Sequence, residues 1–405
     1  MSHRIGRLAL AVLLALPAST SWASTSWAST SEAADGNRAP ASWTSTSEAA
    51  DGNRVPASAL RIPKPTGKLP VGMTSLHLKD TSRPDPWVPS VKARELMVSL
   101  WYPAAKAGGA RAAYMTVKES ELTLKEAGAS GVPGDLLSKT RIDAVKDARP
   151  AKGRLPLVVL SPGFTKPRYS LTGLAEDLAS RGYAVAVIGH TYENVATSFP
   201  DGRVAECVAC EIEPKNPAFF AKVGQIRAAD VTFVLDSVLA RYPKLIDRSR
   251  IAMGGHSVGG ASSVAALLKD SRLRAGMNID GTAVVPVPSG GLAKPYLLLG
   301  SEAKHSPGKD PTWDQSWPNL TGWKRWFVVT GTEHASFTDI SVLSEQLGID
   351  DGADLPATRS LEITRRIVAA FYDLHLRRKP QPLLNDPASR YPEVKSVGAR
   401  RTRGR

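Results

Sequence analysis

The sequence predicts an α/β fold with a mostly parallel central sheet and helices on both faces. Two observations predict it. From Leu155 onward, short apolar runs alternate with amphipathic stretches of ten or more residues, the pattern of strands joined by crossover helices. One of those runs, Ile251 to Gly254, leads directly into Gly255-His256-Ser257-Val258-Gly259 and a small-residue helix, a strand-turn-helix junction built around a serine. With 405 residues and 42% hydrophobic side chains the chain can fill a sizeable core.

The amino terminus reads as a secretory signal, residues 1–23. Arg4 and Arg7 precede an apolar run from Leu8 to Leu16, and small residues end at Ala23. That run is too short to cross a bilayer, and no later stretch reaches about 18 uninterrupted apolar residues. Secretion to the extracellular side is therefore expected. Residues 24–60 read as a disordered linker: Ser29 to Arg38 returns as Ser45 to Arg54, and the repeat has too few apolar residues to build a core. Export also makes a disulfide the expected state of the two cysteines, Cys207 and Cys210, closing a small loop.

The catalytic domain is expected over residues 61–380. Thr74 to Leu78 and Leu96 to Tyr102 are its first strands, the second alternating Leu96, Val98, Leu100 and Tyr102 against Met97, Ser99 and Trp101, and they form an antiparallel start to the sheet. Residues 115–148 mix scattered leucines with charges and Gly-Pro breaks, giving short helices that act as a lid or as plain cover. The parallel strands follow at Leu157 to Leu160, Ala184 to Ile188, Ile251 to Gly254, Ala275 to Ile279, Tyr296 to Leu299 and Trp326 to Thr330. Helices are expected over Leu171 to Arg181, Val223 to Tyr242, Gly259 to Lys269 and Arg359 to Leu376. Residues 381–405 read as a basic tail containing Arg390, Lys395, Arg400, Arg401, Arg403 and Arg405.

A net charge of +14 suits peripheral contact with an anionic membrane or cell-wall surface, and equally a plain soluble basic surface. Nucleic acid is not an expected partner, because no recognition motif accompanies the charge.

In a sheet of this kind, functional groups gather just past the carboxyl ends of the strands. Ser257 lies there, on a tight turn whose neighbours must lack bulky side chains, as a nucleophile elbow requires. A serine hydroxyl needs an imidazole to take its proton. Of seven histidines, His334 stands directly after the last strand and is the expected base. His190 is expected to be a pocket-lining or a structural residue, and the side chain of His256, inside the elbow, is expected to point away from the active site. The carboxylate that orients the base is Asp280 or Glu302, each immediately after a strand; Asp310 and Asp314 lie further on. The oxyanion donors are expected to be the N–H of Val258 and that of Phe164, in the turn Ser161-Pro162-Gly163-Phe164. Trp87, Trp313, Trp317, Trp323 and Trp326 serve either as an acyl-binding surface or as packing.

With these residues placed, the chain resembles a bacterial relative of the plasma-type platelet-activating factor acetylhydrolases, calcium-independent serine lipases of the α/β-hydrolase fold. The resemblance runs from about Leu60 to Leu376. It is carried by Pro65 to Thr74, Trp101-Tyr102-Pro103, Leu160-Ser161-Pro162-Gly163-Phe164, Arg227 to Asp236, Asn278-Ile279-Asp280-Gly281 and His334. Pro162 departs from the histidine often found in that turn. The resemblance favours Asp280 as the acid and implies hydrolysis of short or oxidised acyl chains of phospholipids, with no cofactor or metal. Two rival readings stay open: a cutinase-like polyester or triacylglycerol hydrolase, and a non-catalytic surface-binding protein on a hydrolase fold.

Overall fold

The computed structural model describes residues 60–129, 131–212 and 215–398. The expected signal, almost all of the expected repeat-containing linker and the arginines from Arg400 onward lie outside the described residues.

Strands β1 (Val71–Asp80) and β2 (Arg94–Pro103) open the domain as an antiparallel pair. After helix α1 (Val117–Glu126) come β3 (Val145–Lys146), β4 (Leu155–Ser161), α2 (Thr172–Ser180) and β5 (Ala184–Gly189). A small hairpin, β6 (Ala196–Ser198) and β7 (Val204–Glu206), precedes α3 (Pro217–Arg241), β8 (Ile246–Gly255), α4 (Val258–Lys269) and β9 (Leu273–Ile279). The chain continues through β10 (Tyr296–Ser301), α5 (Glu302–His305), α6 (Pro311–Asn319), β11 (Lys324–Val329), α7 (Asp339–Gln346), α8 (Ala357–Arg377) and β12 (Val394–Ser396).

Among the described residues ten strands form one sheet in the order β12-β11-β10-β9-β8-β4-β5-β2-β1-β3. The run from β11 to β5 is parallel, and β2 turns antiparallel to β5. This is the mostly parallel sheet that the sequence predicts. Its central strands read as unbroken apolar runs because both faces are covered. In β4, Val158 and Leu160 join one core with α2 and α8, while Leu157 and Val159 join the other with α3 and α4.

Two expectations change, and one open alternative is narrowed. The fold continues past residue 380: Tyr391 and Val394 are fully buried, and β12 pairs antiparallel with β11, so the expected tail contributes the edge strand. Lys395 ion-pairs with Glu302, and Arg390 lies over the Tyr391 ring. The described part of residues 115–148 packs as cover: Leu124, Leu136, Leu137 and Ile142 are embedded in the main core, and a capping box between Thr116 and Glu119 starts α1. Finally, α3 begins at Pro217, ahead of Val223; Asn216 caps it by accepting the Phe219 N–H, and Pro217 suits its first turn. Among the described residues no helix is long and apolar enough to cross a membrane.

Candidate active site

Ser257 joins β8 to α4 with φ 55° and ψ −134°, a conformation that costs about 1–3 kcal/mol and survives only where its surroundings enforce it. The enforcement is visible in the backbone. The Ser257 N–H donates to Ile279 O at 2.8 Å, and Ser257 O accepts from Ala261 at 2.9 Å. A Cβ on Gly255 would meet Ser161 O at 2.1 Å, and one on Gly259 would meet the same oxygen at 2.0 Å. Only glycine at both positions lets the elbow press against the end of β4.

Asp280 follows β9 and also has a positive φ, 51°. His334 opens a short 3-10 turn after β11 and Gly331. These two strand-end loops bring the side chains together: His334 Nδ1 donates to Asp280 Oδ2 at 2.6 Å. The other carboxylate oxygen accepts from the Ser301 N–H at 2.6 Å and from His305 Nδ1 at 2.8 Å. Burial would raise the Asp280 carboxyl's pKa, but His305 and His334 outweigh it and hold the group well below the usual carboxylate range. The His334 side chain is one-third exposed (33%), and its Nε2 has no partner among the described residues.

The remaining candidate acids are elsewhere. Glu302 pairs with Lys395, Asp310 caps α6 by accepting from Thr312 at 2.8 Å, and Asp314 accepts from Gly308 at 2.9 Å. Of the carboxylates weighed from the sequence, Asp280 alone bonds His334 among the described residues.

His256 corrects the sequence reading. Its ring does not point away; it packs on His334 at 4.5 Å between centroids and bonds the His334 carbonyl. One ring nitrogen each from His256 and His334 and one carboxylate oxygen of Asp280 all lie within 4.8 Å of one another. Ser257 is the next residue in the chain after His256, and its hydroxyl makes no hydrogen bond among the described residues.

The turn after β4 supplies the other wall. A Cβ on Gly163 would sit 3.3 Å from Ser257 Cβ and 3.4 Å from His256 Nδ1, so this turn lies directly against the elbow. The N–H groups of Val258 and Phe164 have no acceptor among the described residues. Val258 N–H is left free because the first turn of a helix has no intrahelical acceptor.

His190 takes the structural alternative: it is buried and hydrogen-bonded on both ring nitrogens. Its Nδ1–H donates to Asp230 Oδ2 at 2.8 Å, and its Nε2 accepts from Ser161 Oγ at 2.9 Å. This Ser-His-Asp arrangement resembles a catalytic set but is fully enclosed, and Arg227 donates both to Ser161 Oγ at 3.2 Å and to Pro162 O. Burial and Arg227 both lower the His190 pKa, consistent with a neutral ring. Arg227 is anchored by Glu193 at 2.8 Å, and Arg94 bonds Asp230, Asp85 and the Thr191 carbonyl. The group is a buried scaffold behind the oxyanion turn. The sequence reading left His190 between a pocket-lining and a structural role; the signal that favours the second was Arg227 and Asp230, charged residues on the buried face of an otherwise apolar α3.

The tryptophans divide. Trp313 and Trp326 are buried and in ring contact, Trp317 packs on Trp326, and Trp323 packs on Phe371. Trp87 instead joins Phe219 and Val223 in a cluster onto which Phe164, Phe220 and Val258 pack. An aromatic surface therefore borders the two free N–H groups. Cys207 and Cys210 are paired, with Cα atoms 5.2 Å apart, and close the loop before α3.

Comparison with known proteins fits this geometry. A family model described as platelet-activating factor acetylhydrolase, isoform II, matches residues 55–212 and 224–378. The chain is similar to a probable 1-alkyl-2-acetylglycerophosphocholine esterase of Arthroderma benhamiae, 28% identical over 373 residues that cover 83% of this chain and 94% of the relative. It is also similar to the platelet-activating factor acetylhydrolase of Canis lupus familiaris, 23% identical, covering 78% of this chain and 77% of that protein. Among solved structures, a ferulic acid esterase from Streptomyces cinnamoneus superposes with a TM-score of 0.76 and 41% identity, covering 84% of this chain and 99% of that one.

Proposed function

Since the chain belongs to the platelet-activating factor acetylhydrolase isoform II family and its relatives share ester hydrolysis, we propose that it cleaves carboxylic esters through an acyl-enzyme on Ser257. His334 Nε2 takes the Ser257 proton as Oγ attacks the ester carbonyl carbon. The tetrahedral oxyanion then accepts hydrogen bonds from the N–H groups of Val258 and Phe164. As the tetrahedral carbon expels the alcohol, His334 delivers the proton to the leaving oxygen. Water, deprotonated by the same imidazole, cleaves the acyl-enzyme and frees Ser257. Asp280 fixes the Nδ1–H tautomer and stabilises the imidazolium. The carrying observation is the hydrogen bond from His334 to Asp280, beside a serine on a strained elbow.

For the substrate, the family supports short or oxidised acyl chains of phospholipids, on a protein exported by the leader and drawn by its basic surface to anionic membranes or cell wall. A second reading, esters of an aromatic acid, is favoured by the ring cluster around Phe164 and Val258 together with the similarity to a ferulic acid esterase. Hydrolysis of p-nitrophenyl acetate, a short-chain phosphatidylcholine, methyl ferulate and a polyester film by the purified protein separates them. The acyl-enzyme reading expects Ser257→Ala to abolish every activity found. Activity surviving in that variant, or none in the folded wild type, overturns it. Preference for methyl ferulate or the film over the phospholipid overturns the phospholipid assignment alone.

A further inference from the structure

One buried histidine lies behind the proposed acid. After β10, α5 turns His305 back beneath Asp280, and the ring is locked from several sides. It packs on Trp313 at 4.2 Å between centroids, its carbonyl accepts from Trp326 Nε1 at 2.8 Å, and Trp313 Nε1 donates to Gly281 O at 2.7 Å. The side chain is 4% exposed.

His305 lies between two carboxylates. Its Nδ1 is 2.8 Å from Asp280 Oδ1, and its Nε2 is 3.3 Å from Asp310 Oδ2, a buried oxygen with no well-aligned donor. A neutral imidazole carries one N–H and one lone pair, so one carboxylate would face a lone pair. Both contacts are favourable only when both nitrogens carry protons. The ring is then a cation, and Asp280 is shared by two imidazoles, His334 on one oxygen and His305 on the other.

We propose that His305 is a positioning residue for the Ser257 reaction: it clamps Asp280 from the side opposite His334 and, as an imidazolium, offsets the negative charge that Asp280 presents to the base. The inference rests on the esterase reading above. An unopposed carboxylate would bind the proton on His334 more tightly and leave less free base in weakly acidic solution. The charged groups facing His305 are Asp280 from the end of β9 and Asp310 from the start of α6. Beyond Asp280 stands His334, with His256 against its ring. Burial alone would lower the pKa of His305, but Asp280 and Asp310 outweigh it and raise it to about 9, so the charge persists through neutral pH.

The test compares His305→Asn, whose amide can still donate to Asp280 but carries no charge, with wild type and His305→Phe. The pH profile of kcat/KM for p-nitrophenyl acetate is measured on the full chain. The acid limb of the Asn variant is expected to move up by about one pH unit with its plateau within a fewfold of wild type. The Phe variant, lacking the clamp, is expected to lose about a hundredfold at the plateau. An unmoved acid limb in a folded Asn variant overturns the charge role, whatever the plateau does. Nitrogen-15 NMR of histidine-labelled wild type needs no variant: a buried imidazolium persisting at pH 8 is expected, and its absence overturns the proposal. Loss of activity in Ser257→Ala reports on the esterase reading separately, so the two can fail independently.

Discussion

His256 Nε2 donates to the backbone carbonyl of His334 across 2.8 Å, so the residue before the serine holds the loop that carries the base. Burial first, and His334 next, push the His256 pKa down to about 3, which keeps the ring neutral. A neutral ring with its proton on Nε2 suits a carbonyl partner. His256→Phe keeps the ring packing and removes the bond, worth about 1 kcal/mol. Steady-state kinetics should show kcat reduced about tenfold with KM little changed. An unaltered kcat would mean that the loop is held by other contacts.

Asp280→Asn and Glu302→Gln should differ sharply. An asparagine at 280 can present its amide to His334 and stabilise the wrong tautomer, a change that costs about 10⁴ in kcat in the comparable triad. Glu302 meets solvent and Lys395, so its amide should leave kcat within about twofold, in line with exposed ion pairs contributing little. Measuring both variants with one ester decides the acid, and a large loss in the Gln variant would reopen it.

Gly163→Ala probes the oxyanion wall without touching a reacting group. The added methyl would stand 3.3 Å from Ser257 Cβ, close enough to push the turn aside by a few tenths of an ångström. Hydrogen bonds to a developing oxyanion are sensitive to such shifts. The expected result is kcat down about tenfold, with thermal stability close to wild type. An equal fall in stability and activity would point to misfolding of the turn instead.

Much of this site was legible in the sequence because its parts sit at strand ends. Ser257, Asp280 and His334 each follow an apolar run, and the alternation of such runs with amphipathic stretches of helical length placed them in the parallel sheet. What stayed hidden depends on contacts between residues far apart in the chain. His305 looks like any histidine after a strand until the turn of α5 sets it under Asp280. His190 follows a strand just as His334 does, and only its enclosure by Ser161, Arg227 and Asp230 removes it from the pocket. His256 was misjudged because local elbow geometry does not reveal which loop packs over it. The edge strand β12 was missed because three residues in a basic stretch carry too little periodicity to stand out.

Asp339 supplies a pH dependence of stability unrelated to catalysis. It lies fully buried at the start of α7, where both carboxylate oxygens are 3.0 Å from the Gly173 N–H and the Tyr114 hydroxyl donates at 3.4 Å. Burial, with Glu176 adding repulsion, raises its pKa from 3.8 to about 8 despite the Gly173 N–H and Arg365. An acid whose folded pKa exceeds its unfolded one holds its proton after the unfolded chain has released it. Its contribution to stability therefore declines as pH rises from about 3.8 to about 8 and is level above that. Asp339→Asn keeps an acceptor for Gly173 and cannot ionise. Its melting temperature should match wild type near pH 4, exceed it by several degrees at pH 8, and show a widening gap between. Because the remaining titrating groups are common to both proteins, the gap reports this carboxyl together with its coupling to Glu176, and a gap that does not vary with pH would show that the Asp339 pKa is not raised on folding.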